Sequence, residues 1–279
     1  MKPLFTLFLA LLSVATFAQK DFQGKATYMS KTTMDMDRFS RNGQVSEARK
    51  KQIADRMKSM LEKTFILTFD KTASTYKEDA KLEAPGSGGG FRFGGLTGGG
   101  TKYKNTKDLV ALESTEFFGK KFLISDTMER PEWQLGSETK KIGEYVCYKA
   151  TLIKDANPLD FSNFGRRGGN DDKKDSKETE APKKTTITAW YTPQIPVSNG
   201  PGEYWGLPGL ILEINEGRTT ILCTEIVLNP GEKEEIDTPT KGKKITREDY
   251  NETITKKMKE MRENFSGRGG RNGGGRGRS

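Results

Sequence analysis

Histidine is absent from all 279 residues. That absence removes Ser-His-Asp and Cys-His nucleophilic pairs, imidazole zinc sites and the commonest base near neutral pH. Cysteine is scarce: Cys147 and Cys223 are the only two. Two cysteines do not make a disulfide scaffold; they can pair with each other or stay as buried thiols. Without histidine beside them, neither is expected to be a nucleophile. Apolar runs long enough to cross a bilayer as a helix, about 20 residues, are missing as well. No cofactor and no metal site is expected from this composition.

What apolar run there is comes first. In "MKPLFTLFLALLSVATFA" (1–18), Lys2 precedes an apolar stretch from Leu4 to Leu12, and Thr16-Phe17-Ala18 resembles a small-residue cleavage site. This is the pattern of a secretory signal. No cysteine follows directly, so a lipid anchor is not expected. The mature chain is expected to be exported, periplasmic or secreted. The formal charge is +9. Its placement matters more than its size, because Arg268, Arg271, Arg276 and Arg278 close the chain in a glycine-rich setting without an acid.

Between these ends the pattern is mostly that of strands. Residues 21–33, "FILTFD" (65–70), "ASTYKED" (73–79) and the segments from 102 on have strand composition with turn signals between them. Asp70-Lys71 and Gly119-Lys120 are expected turns, and Lys141 to Gly143 marks another. Two amphipathic helices are expected. One spans 44–63, with Ile53, Met57, Met60 and Leu61 on a face. The other lies in "DYNETITKKMKEMRENF", with Ile254, Met258, Met261 and Phe265. Glycine-dense 85–101 and charge-rich 155–184 read as flexible insertions in one β-rich domain spanning 19–265. Residues 266–279 read as a disordered Arg/Gly tail. The glycine segment lacks the "GK[ST]" ending of a phosphate loop.

The segment "GPGEYWGLPGLILEINEGRTTILC" carries the strongest local signal. A Glu216-Gly217 turn would place Leu212 opposite Ile221 and Leu210 opposite Cys223, with Leu210, Leu212 and Ile214 on one face. Pro208-Gly209 fits the centre of a type II turn, glycine taking the positive-φ corner. The corner reads in two ways. Either it is a rigid launch for a buried strand, or its aromatic neighbours rim a cleft for an apolar or extended ligand. On the second reading Trp190, Tyr204, Trp205, Leu207, Pro208 and Gly209 would bind the ligand. In "ITAWYTP" alternation sends Tyr191 to one face and Trp190 to the other.

"GEYVCYKAT", "AWYTPQIPVSNGP" and "YWGLPGLILEI" stand here in the order and chemistry of the GLPGLI family of exported bacterial proteins. The chain resembles that family over roughly residues 103–228. The resemblance implies export from a member of the Bacteroidota and no established activity. The charged insertion, the glycine spacer and the arginine-glycine tail depart from the family pattern and inherit no role from it.

The expected fold is α+β and mainly antiparallel β: a curved sheet or half-barrel with one or two packed helices. The expected function is a non-catalytic envelope protein that binds a lipid or peptide in the sheet's concavity. A structural protein docking an outer-membrane partner is the alternative. A histidine-free hydrolase using acids such as Glu203 and Glu213 is the weaker one, so the protein is not expected to be an enzyme. The four tail arginines are expected to make weak contact with an anionic surface or glycan, and nucleic acid is not the expected partner.

Overall fold

In the computed structural model, residues 22–33, 46–79, 100–155 and 184–269 are described. The expected signal segment, nearly all of both insertions and residues 270–279 lie outside them.

The strands form one open, twelve-stranded sheet. The first limb comprises β1 (Gln23–Thr32), β2 (Glu62–Asp70), β3 (Ala73–Glu78), β4 (Thr101–Asn105), β5 (Val110–Phe117) and β6 (Lys120–Thr127). The second comprises β7 (Gln134–Ile142), β8 (Tyr145–Asp155), β9 (Lys184–Thr192), β10 (Leu210–Glu216) and β11 (Thr219–Leu228). Within each limb every strand pairs with its sequence neighbour, antiparallel. Only the β1–β11 pairing joins the limbs. A three-residue β12 (Lys243–Ile245) adds in parallel to β6. The fold is thus α+β and predominantly antiparallel, as composition and turn spacing imply.

Helix α1 (Glu47–Leu61) begins at Ser46, whose hydroxyl accepts from the Arg49 amide, and runs straight into β2. Of its expected apolar stripe, the side chains of Ile53, Met57 and Met60 lie outside the described residues. Helix α2 (Arg247–Gly269) packs Ile254, Tyr250 and Met258 on Phe117 and Phe122. It includes residues 266–269, which the sequence reads as the start of the tail.

Three turns sit differently from expectation. Phe118 and Gly119, not Gly119 and Lys120, form the β5–β6 turn, both at positive φ, since Phe117 faces Lys120. The β7–β8 turn is Gly143-Glu144, Ile142 facing Tyr145. In the β10–β11 hairpin Glu216 faces Thr219, which leaves Gly217-Arg218 as the turn with Gly217 at φ +56°. A two-residue turn with positive φ at its first central position fits the strand twist, so Gly217 sets the register. Ile214, rather than Leu212, therefore faces Ile221.

The single-face expectation for Leu210, Leu212 and Ile214 also fails. Ile211 pairs with Tyr191 and Glu213 with Trp190, so Leu212 is an extra residue in a β-bulge. Leu210 and Leu212 join a cluster with Ala26, Tyr28, Leu67, Phe69, Cys147 and Cys223 that spans both limbs. Ile211 and Ile214 join a second cluster with Ala150, Ile187, Ala189 and Tyr191. β10 is buried on both faces, which is why its sequence is nearly continuous aliphatic rather than alternating.

Candidate functional site

The segment 193–209, between β9 and β10, crosses one face of the sheet and ties the limbs together. It leaves Thr192, reaches β3 and β4, then returns to Leu210. Ser74 of β3 hydrogen bonds the Asn199 side chain at 3.1 Å. Lys104 of β4 donates from Nζ to the carbonyls of Gly200 and Tyr204, each at 2.8 Å. The amides of Leu210 and Ile211 donate back to Ile195 and Asn199. Because the first half of β10 is not paired with β11, the Ile211 carbonyl needs another donor. The fully buried Tyr28 hydroxyl supplies it at 2.7 Å.

The glycines and proline of the corner follow from this crossing. Gly206 takes the positive φ, +95°, against Pro131 and the Trp133 indole. Gly209 does not have positive φ, contrary to the type II expectation. Its need is space: a β-carbon there would sit 2.1 Å from the Thr192 carbonyl oxygen. Pro208 is exposed at the bend.

Of the six residues expected to rim a cleft, Tyr204, Trp205, Leu207 and Gly209 are buried, and only Pro208 is exposed. The Trp133 indole donates to the Trp205 carbonyl at 2.7 Å, and the Tyr204 hydroxyl donates to Glu216 at 2.7 Å. The aromatics are tied into the core because the segment that carries them fills the face expected to be a concavity. Trp190 is half-buried on the opposite side of β9 from Tyr191, as alternation implies, with the Lys140 ammonium 4.4 Å from its ring centroid.

The acids are similarly occupied. Both carboxylate oxygens of Glu213 are engaged, one by Lys140 at 2.6 Å and the other by Asn215 at 2.7 Å. Glu203 pairs with Lys154 at 2.7 Å. Among the described residues no three His, Cys, Asp or Glu gather as metal ligands, and no helix is long and apolar enough to cross a membrane.

Cys147 and Cys223 are free thiols within one cluster. Burial pushes them up, to about 11 and about 12 respectively. Both should therefore resist alkylation at pH 8 in the native protein and react promptly in denaturant, measured by mass spectrometry without reductant. Failure to react in denaturant would mean that they are paired instead.

Lys104 is the residue that local sequence could not flag. It is 3 % exposed, and burial, with Lys102 adding repulsion, lowers its pKa to about 7. In "TKYKN" it reads as one more solvated lysine. Its enclosure by segment 193–209, nearly a hundred residues away, makes it a structural donor. The Arg268 side chain and residues Arg271, Arg276 and Arg278 lie outside the described set.

The other unflagged feature is an edge. β7 is hydrogen-bonded only to β8, leaving its outer side unpaired among the described residues. Its sequence "QLGSETKKI", polar with a glycine and two lysines, is edge-strand composition and could have marked it. The register is irregular between Leu135 and Thr139, then regular from Thr139 to Ile142. Behind that stretch Val146 and Tyr148 are exposed on one face of β8, and Leu135 on β7 is 62 % exposed.

Residues 133–213 match the family model described as a protein of unknown function, Porph_ging. That span runs from Trp133 through β7, β8, β9 and segment 193–209 to the bulge of β10. The name attached to the match is Porph_ging, not GLPGLI, and the function of that family is unknown. No curated protein matches the chain. Among solved structures, PNGF-II in a C2 crystal form is 15% identical with a TM-score of 0.47, covering 84% of this chain and 33% of that one. Its P21 form gives 15% and 0.46 over the same shares. This chain therefore spans about a third of the length of those structures.

Proposed function

We propose that this is an exported, non-catalytic binding protein of the cell envelope that takes an extended polypeptide along the free edge of β7. The observation that carries the reading is the asymmetry of the sheet. One end tapers to the three-residue β12, too short to offer a long ladder, while the other ends in a nine-residue strand whose outer side is unpaired among the described residues. An unpaired edge offers a row of amides and carbonyls to a partner strand, and neighbouring apolar side chains supply selectivity. Val146 and Tyr148 furnish such a strip. A strand from another envelope protein would pair in the same way. A lipid is disfavoured, because segment 193–209 already fills the face expected to hold it.

Selection of extended peptides against the full chain tests this. Binding should slow amide exchange within 134–142 and weaken about tenfold, the equivalent of about 1.4 kcal/mol, when alternate peptide amides are N-methylated. Protection appearing at 204–209 instead, or affinity that survives N-methylation, would overturn the edge assignment.

A further inference from the structure

At the opposite limb, the β5–β6 turn breaks a rule of hairpin chemistry. Two-residue turns with both central residues at positive φ favour Asn, Asp or Gly, whose side chains tolerate that backbone. Here the first position is Phe118 at φ +48°, followed by Gly119 at φ +74°. Phe118 is 55 % exposed, with an edge contact to the Phe117 ring. Stability would be better served by asparagine. A bulky apolar residue held outward at such a cost is a candidate for contact with something else.

Its surroundings say what. Lys120 and Lys121 follow the turn directly, both exposed. On β12, Lys243 lies opposite Phe122 and Lys244 opposite Leu123, and Lys241 precedes them. Gly242 lets this strand seat so closely that a β-carbon would come 2.6 Å from the Phe122 carbonyl carbon. By register, Lys120 and Lys243 share the side covered by α2, while Lys121 and Lys244 lie on the other. None of the five lysines pairs with a carboxylate among the described residues, although Glu116 lies across the ladder from Lys121. α2 runs back along β6 toward the same turn: its first amide donates to Asp126, Tyr250 meets Phe122, and Ile254 reaches Phe117. The Arg/Gly segment follows from that helix.

We infer that the β5–β6 tip is a docking device for an anionic lipid surface, with Phe118 entering the headgroup layer and Lys120, Lys121, Lys241, Lys243 and Lys244 meeting the charge on both flanks. An aromatic side chain at the apex of a basic collar matches a planar surface that is anionic outside and apolar beneath. A soluble anion would use the lysines but leave Phe118 without a purpose.

The test is co-sedimentation of the full chain with phosphatidylcholine vesicles with and without phosphatidylglycerol, at low and high salt. Binding should require the anionic lipid and fall steeply with salt. Phe118→Asn, which suits the turn and keeps the fold, should weaken it roughly tenfold, the effect of withdrawing one buried aromatic. Lys120→Ser and Lys121→Ser should each cost about fivefold. No binding by the unaltered chain would overturn the inference. So would tip variants that bind normally while Arg271→Ser, Arg276→Ser and Arg278→Ser together abolish binding, which would assign the contact to the tail alone. Capture by an anionic polysaccharide, unaffected by Phe118→Asn and as strong as vesicle binding, would likewise replace the lipid by a glycan.

Discussion

Gly209→Ala is expected to lower the stability of this protein by about 3 kcal/mol or more, at the upper end of what overpacking costs. The added methyl would lie 2.1 Å from the Thr192 carbonyl oxygen and 2.5 Å from its carbonyl carbon, with the Pro193 nitrogen at 2.9 Å. All three are backbone atoms at the end of β9, so no side-chain rotation relieves the clash. Relief requires β9 and β10 to part. Their junction holds Leu210 and Ile211, each fully buried in a different cluster, so parting them opens both. For a domain of this size a loss of that order moves the thermal midpoint down by roughly 10 °C. Gly231→Ala is the control: its β-carbon would meet nothing within 4 Å, and its φ is not positive. That variant should melt within about a degree or two of the parent. If both variants melt alike in a calorimetric comparison, the crossing of segment 193–209 is not as described.

The second large effect is on pH. Lys104 has an ordinary pKa of 10.5 and is lowered to about 7 in the folded protein, first by burial and then by Lys102. The unfolded chain keeps that proton up to pH 10.5, while the folded chain gives it up near 7. Between those values the unfolded state binds more protons, so stability rises with pH; below pH 7 both states are charged and the full penalty of burying the ammonium is present. Lys104 alone contributes a gain on the order of 2 kcal/mol from pH 7 to 9. Above about pH 9 the slope reverses, first because the buried Cys147 and Cys223 thiols, ordinarily at 9.0, keep protons in the folded state that the unfolded chain releases. Burial raises the hydroxyls of Tyr28, Tyr76 and Tyr204, so the folded state retains protons that the unfolded state releases. Maximum stability is expected near pH 9, where the thiols of the unfolded chain begin to ionise. Urea unfolding from pH 6 to 9 should show the rise, and Lys104→Met should flatten it by removing the titrating group. A parent and a variant with parallel curves would show that Lys104 is hydrated rather than enclosed.

Much of this architecture could be read without coordinates, and the reason is local. Strands that pair with their sequence neighbours are specified by alternation and turn chemistry within a few residues. Asp70 illustrates it: its carboxylate caps the turn amides of Thr72 and Ala73 at 2.7 and 2.6 Å. The pairing of β8 with β9 across the charged insertion was equally legible, because the patterns on either side match whatever lies between. Register was less so. Gly217 could sit at either central position of its turn, and one choice moves every partner by two residues. The bulge at Leu212 had no signature at all, since a run of three aliphatics, Leu210 to Leu212, hides which face each one takes.

Composition and local pattern determined, by themselves, that this chain builds an antiparallel sheet with two helices and that histidine-based chemistry is closed to it. They could do so because backbone pairing between adjacent strands and the loss of a side-chain type are facts of short range or of none. What only the tertiary structure decided is where that sheet ends and what covers it: β7 and β12 as the two edges, Lys104 enclosed, Trp205 turned inward, Phe118 left out. Those outcomes depend on one pairing between residues about two hundred positions apart, β1 with β11, and on a segment that crosses from β9 to β4 and back. Contacts that distant leave no mark on the sequence around any one of their residues.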